Sequence, residues 1–151
     1  MTPFVLAARV YWEDTDGGGV VYHANYLKFL ERARTEWLRA RGFSQQGLAR
    51  EHGILFAVTR MEIAFRAPAR LDDELTITCE VKRAGAASLS FAQRVLRARA
   101  AALAAAPAAG ETAENLLASA TVRIACVDAH TFRPQRLPQW LDVPGTDEEP
   151  A

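Results

Sequence analysis

Asp14 and Asp16 stand one residue apart, Gly17, Gly18 and Gly19 follow at once, and Tyr22, His23 and Tyr26 come within the next turn or two of chain. Carboxylates, permissive backbone and a histidine in so short a span admit several chemistries. Calcium is one: Asp14 and Asp16 would be the first and third ligands of an EF-hand loop, but Gly18 falls on the fifth position and Asn25 where a bidentate glutamate is required. That reading fails. A phosphate cradle is another, yet no Gly-Lys-Ser/Thr follows the glycines, and the adjacent acids repel a phosphate. A plain turn, its glycines bending the chain and its acids facing water, remains open. So does acyl transfer, in which glycines let the backbone approach a ligand, amide N–H groups at a helix start hold a developing oxyanion, and an aspartate supplies the reacting oxygen.

That last constellation needs neither a metal nor a serine or cysteine nucleophile. None of Ser44, Ser88, Ser90 or Ser119 lies in a Gly-x-Ser-x-Gly elbow. Cys79 and Cys126 lie in separate strand-like runs without metal-ligand spacing, which predicts buried thiols, with no disulfide and no zinc site.

The elements around these residues are legible from periodicity. Val5 to Trp12 reads as a first strand. Tyr22, Tyr26, Phe29, Leu30, Ala33, Trp37 and Ala40 recur at steps of three and four, which predicts a helix with Asn25 as N-cap and Gly42 just past its end. A shorter helix starts at Ser44 and stops before Gly53. Period-two alternation then sets in. Met61, Ile63 and Phe65 share one face; Leu75, Ile77, Cys79 and Val81 point inward while Thr76, Thr78, Glu80 and Lys82 point outward; Val122, Ile124 and Cys126 line a last strand. The strand "SLSFAQRVLRA" lies between, with turns at Pro68 to Asp73 and at Gly85. The predicted class is α+β, an antiparallel sheet packed over one long helix. One domain spans 1–143, interrupted by an Ala-rich loop at about 98–113, and 144–151 form an acidic tail expected to be disordered.

The run "RVYWEDTDGGGVVYHANYLKFLERARTEWLR" resembles the signature of the hotdog-fold acyl-CoA thioesterases of the 4-hydroxybenzoyl-CoA thioesterase family, and within it the Tol-Pal-associated YbgC-type branch. "FSQQGL", "APARLDDELTI", "SLSFAQRVLRA" and "CVD" followed by "RPQRLP" look like the same branch, so the similarity covers nearly the whole chain. The resemblance implies a sheet wrapped around the helix and a homodimer or homotetramer with the active site between protomers. It places the catalytic aspartate on Asp16, as nucleophile or as general base on water, and the oxyanion-holding amide on or near His23. Gly19, Tyr22 and Tyr26 are then substrate-binding candidates, the two tyrosines as packing residues whose hydroxyls line the pocket. Asp14 reverts to local structure, and Glu31, on the helix, pairs with Lys28 or Thr35.

Coenzyme A, as part of the substrate and not a cofactor, is anionic and seeks local positive charge. Arg60, Lys82, Arg83 and Ser88 are the candidates to hold it. Eighteen basic and eighteen acidic residues cancel, so no global field draws the chain to nucleic acid or to a membrane surface. No apolar run reaches the roughly 20 residues of a transmembrane span. The expected setting is cytoplasmic, with peripheral attachment to the inner membrane open. Two rival functions stay in view. One is a scaffold that binds acyl carrier protein or envelope machinery. The other is a hotdog hydratase, which the resemblance makes less apt because such enzymes pair a histidine and an aspartate on the central helix, whereas His52 and His130 lie outside it.

Overall fold

The computed structural model describes residues 3–98, 115–141 and 143. The expected tail at 144–151, and the expected Ala-rich loop apart from Ala98, lie outside the described residues. Strand β1 (Phe4–Arg9) is followed by helix α1 (Asn25–Ala40), helix α2 (Gln45–His52) and strands β2 (Ile54–Phe65), β3 (Glu74–Ala84), β4 (Ser88–Arg97) and β5 (Leu116–Asp128). The five strands form one antiparallel sheet in the order β1-β3-β4-β5-β2. It wraps around α1, the α+β hotdog arrangement expected from the sequence.

Helix α1 exists because one side of it is buried. A lone helix of this length is marginal in water, so tertiary burial must hold it. Tyr26, Phe29, Leu30, Ala33, Trp37 and Leu38 sink into the core, and each large apolar side chain contributes at most about 1.5–3 kcal/mol. Trp37 meets Phe91 of β4 edge to face, ring centroids 5.1 Å apart. The end of α1 is as expected: Gly42 adopts φ 91°, its N–H reaches the Arg39 carbonyl, and the Phe43 N–H reaches that of Leu38. Ser44 caps α2 by accepting from the Gly47 N–H at 3.0 Å, and Gly53 ends it at φ 65°.

Four expectations need correction. The first strand stops at Arg9, and Trp12–Asp14 form a 3-10 turn, because the chain must bend here to bring Asp14 under the start of α1. Asn25 is the first helical residue and not the cap; its side-chain amide donates instead to the Asp14 carbonyl at 2.9 Å. Tyr22 and Ala40 are exposed, so the buried stripe is shorter than periodicity suggested and takes in Leu38. Thr78 is only 2% exposed although it alternates outward, since Val5 and Arg94 flank it on β1 and β4 and its hydroxyl accepts the Arg94 N–H at 2.9 Å.

Three ladders each carry one irregularity, one of them where β4 meets β5, between Val95 and Leu96. The register shifts between Val58 and Arg60 on β2, and again between Val81 and Arg83 on β3. Both cysteines are buried and free, on β3 and β5. Burial pushes the Cys79 thiol up to about 12, against the opposing pull of Arg34. The unfolded thiol ionises near 9 while the folded one keeps its proton, so the native state binds more protons and stability falls as pH rises from about 9 to 12. Native protein at pH 8 is therefore expected to leave Ellman's reagent unreacted for as long as it stays folded, with both thiols released in guanidinium; rapid native labelling would contradict the burial.

Candidate active site

The acidic-glycine segment is a closed loop tied to the start of α1. The Asp16 N–H donates to the Val20 carbonyl at 2.8 Å, and the Gly19 N–H donates back to the Asp16 carbonyl at 3.3 Å. Gly19 sits at φ 78°, where a side chain would be strained. The loop is held from beneath by the turn before β3: the Val21 N–H reaches the Ala69 carbonyl at 2.8 Å, and Val20 bridges to Arg70. That turn is itself clamped. Asp73 Oδ2 accepts from the Arg70 N–H at 2.8 Å and from Arg97 Nε at 3.1 Å.

The two aspartates play different parts. Asp14 is 7% exposed; its Oδ2 accepts from the Tyr11 N–H at 2.8 Å and its carbonyl takes the Tyr22 N–H at 3.0 Å. It is a scaffold residue, as expected. Asp16 is exposed. Its Oδ1 accepts from the Gly18 N–H at 2.7 Å, and among the described residues nothing donates to Oδ2. One carboxylate oxygen is thus oriented by the loop and the other is left open for a reacting group. A Cβ on Gly18 would stand 3.3 Å from that held oxygen, so a side chain there would crowd the carboxylate.

At the start of the helix, the N–H groups of Tyr22 and Asn25 are taken by the carbonyls of Asp14 and Tyr22. Those of His23 and Ala24 have no acceptor among the described residues. They carry the positive end of the α1 dipole and can stabilise an oxyanion. The His23 ring is exposed and lies 4.6 Å from that of Tyr22, also exposed. Tyr26 is buried; its hydroxyl accepts from the Ala69 N–H at 2.9 Å, and its ring meets Phe65 edge to face at 5.2 Å. Tyr26 therefore ties α1 to the turn that holds the loop.

The basic candidates are elsewhere. Lys82 and Arg83 lie at the far end of β3 from the loop, about 26 Å along the strand from Glu74. Lys82 is exposed and pairs with Glu80 at 3.1 Å; Arg60 is exposed on β2 and reaches Glu62 at 3.4 Å. Ser88 begins β4 just after the turn closed by the Gly85 N–H on its carbonyl. One protomer does not bring these four residues to Asp16.

Sequence reasoning missed a second polar feature. Between α1 and the inner faces of β4, β5 and β2 lies a cleft of about 100 Å³ bordered by Arg34, Trp37, Phe56, Val58, Phe91 and Ile124, with Glu31 at its rim. Glu31 accepts from the Thr35 hydroxyl at 2.6 Å, the local pairing expected for it. Burial lowers the Arg34 guanidinium from its ordinary value, with Cys79 and Glu31 opposing the shift. Arg34 donates at 3.0 Å to Gln93, whose amide donates to the Leu30 carbonyl at 3.0 Å and to that of Thr78 at 3.3 Å. The signal was present: Gln93 occupies an inward position between Phe91 and Val95.

The chain is 44% identical over 140 residues to the acyl-CoA thioester hydrolase YbgC of Escherichia coli, covering 93% of each chain. It is 41% identical over 136 residues to the acyl-CoA thioesterase YbgC of Haemophilus influenzae, covering 90% of this chain and 89% of the relative. A crystal structure of a probable thioesterase from Bartonella henselae superposes with a TM-score of 0.75 at 39% identity, over 89% of this chain and 98% of that one. Residues 10–144 match the family model of the thioesterase-like superfamily, and with the fold and the relatives in agreement the chain belongs to that family.

Proposed function

We propose that the protein hydrolyses acyl-CoA thioesters to the free acid and coenzyme A. The observation that carries this reading is the half-held carboxylate of Asp16, on a loop that leads into the amides of His23 and Ala24; among the described residues nothing donates to Oδ2 and neither amide has an acceptor. The relatives' activity, named as thioester hydrolysis, supports it.

The thioester oxygen takes hydrogen bonds from those amides as it becomes an oxyanion, aided by the helix dipole. Asp16 supplies the second function by one of two routes. As nucleophile, Oδ2 forms a bond to the acyl carbon while the carbon–sulfur bond breaks; coenzyme A departs as a thiolate, and water then cleaves the anhydride. As general base, Asp16 takes a proton from water, whose oxygen bonds to the acyl carbon, and the proton passes to the departing thiolate. A single turnover in heavy-oxygen water labels the Asp16 carboxylate only by the first route. Neither route requires a cofactor.

Gly19 and Tyr22 are assigned to the substrate, and Tyr26 acts through the turn it holds. Arg60, Lys82, Arg83 and Ser88 are assigned to the nucleotide of coenzyme A, which requires a second protomer to complete the site. Support for self-association comes from β2, an edge strand with Val58 and Phe65 each 50% exposed, and from Trp12, 80% exposed just before the loop. Acyl-CoAs of graded length and aromatic acyl-CoAs, assayed for thiol release, test the proposal. Release from at least one class is the expected result; none across the panel would return the protein to the scaffold reading, in which it binds acyl carrier protein without turnover.

A further inference from the structure

The outer face of the sheet carries a basic row that neither composition nor periodicity reveals. Arg83 on β3 lies opposite Ser90 on β4, Ser90 opposite Arg123 on β5, and Arg123 opposite Arg60 on β2. Four neighbouring strands place these residues on one line of about 14 Å. Arg60, Arg83 and Arg123 are exposed.

Two bulges build the row. Val58 pairs with Ile124, and both border the cleft on the helix side. Strict alternation from Val58 would turn Thr59 outward and Arg60 inward. The extra residue at Thr59 reverses this and sets Arg60 outward, across from Arg123. On β3 the pattern repeats: Val81 pairs with Phe91, Lys82 is the extra residue, and Arg83 falls opposite Ser90. Two separate irregularities, on strands that are not neighbours, deliver arginines to the same line.

Within the row, the direct pairing of Arg60 with Arg123 is unfavourable without a ligand. Like charges directly opposite on adjacent strands repel. Arg60 has a long contact to Glu62, and Lys82 has Glu80, but among the described residues the Arg123 guanidinium has no hydrogen-bond or ion-pair partner. Glu62 and Glu80 lie one row away, each closer to its own cation than to Arg123 by register. A phosphate seated between Arg60 and Arg123 would accept from both guanidinium groups and cancel the repulsion, and the Ser90 hydroxyl adds a donor beside it.

We propose that this row is a phosphate-binding strip that takes the phosphorylated nucleotide end of the thioester's carrier, with Arg123 opposite Arg60 as its centre. The assignment deepens the proposed hydrolysis and rests on it for the identity of the ligand. It adds Arg123 and Ser90 to residues that charge alone had suggested, and it gives the two bulges a purpose.

Adenosine 3′,5′-bisphosphate, titrated into the full chain by calorimetry at low salt, reports the strip without any hydrolysis. Binding is expected for the wild type, weakened about tenfold in Arg123→Gln and more in the double variant with Arg60→Gln, with the wild-type affinity falling as salt rises. In the thiol-release assay, the ratio of KM for an acyl-CoA to KM for the same acyl group on N-acetylcysteamine, which lacks phosphates, is expected to rise about tenfold in Arg123→Gln. Circular dichroism melting should show that variant as stable as the wild type, since its loss removes a repulsion. Unchanged bisphosphate affinity in Arg123→Gln, an equal rise in both KM values, or a change of oligomeric state with nucleotide binding intact would overturn the strip. A wild type that binds bisphosphate but releases no thiol from any acyl-CoA would instead overturn the hydrolase reading and leave the strip standing.

Discussion

Asp16→Asn is expected to lower thiol release from acyl-CoA about a thousandfold or more while the protein melts at the wild-type temperature. Both halves of the result follow from the geometry. The asparagine carbonyl oxygen can still accept the Gly18 N–H, so the loop keeps the bond that orients this side chain. Asp16 is exposed and contributes nothing to the core. What is lost is the negative charge and basicity of Oδ2, the oxygen to which nothing in the described chain donates. Asp16→Ala removes the loop bond as well and should cost about 1 kcal/mol of stability, with no greater loss of turnover. His23→Ala makes a useful contrast because it keeps the backbone N–H: a fall of only a few-fold identifies the amide as the working group, whereas a loss as deep as that of Asp16→Asn would identify the imidazole. Turnover near the wild-type level in a folded Asp16→Asn protein would refute the assignment.

The largest effect on stability is expected at Gln93. Its amide joins three elements, donating to the Leu30 carbonyl on α1 and the Thr78 carbonyl on β3 while accepting from Arg34. The side chain is 1% exposed. Gln93→Ala leaves a cavity and strands a partly buried guanidinium whose charge burial already disfavours. A loss of about 3 kcal/mol is expected, roughly 6–12 °C in melting temperature for a chain of this size. Thermal and urea unfolding measure it. Gln93→Glu separates the causes, since a carboxylate can still accept from Arg34 but cannot donate to either carbonyl. If Gln93→Ala melts within about 2 °C of the wild type, water has replaced the network and the bridge is not structural.

Local rules were a good guide where neighbours in sequence are neighbours in space. The α1 stripe, the Ser44 cap, the glycine stops and the inward rows of β3 and β5 follow from periods of 3.6 and 2. They failed where a distant segment decides. Nothing near Trp12 says that the chain must leave the sheet at Arg9, because the reason is the contact between Asp14 and Asn25 across the loop. Thr78 reads as a surface residue until β1 and β4 close over it. Gln93 is marked in the sequence as one polar residue at an inward position, but what it bridges emerges only when Arg34, Leu30 and Thr78 are assembled around it.

The sequence by itself determined the fold class, the loop on which Asp16 sits and the helix start that follows it, since turn chemistry and amphipathic periodicity are properties of contiguous residues. Only the tertiary structure decided how deeply Asp14 is buried while Asp16 stays exposed, which two amides lack acceptors among the described residues, and which arginines share a line across the sheet. Burial and hydrogen-bond satisfaction depend on what packs against a residue from far along the chain. A single inserted residue is enough to turn a strand's side chains over, and at Thr59 and Lys82 pairing alone reveals the insertion.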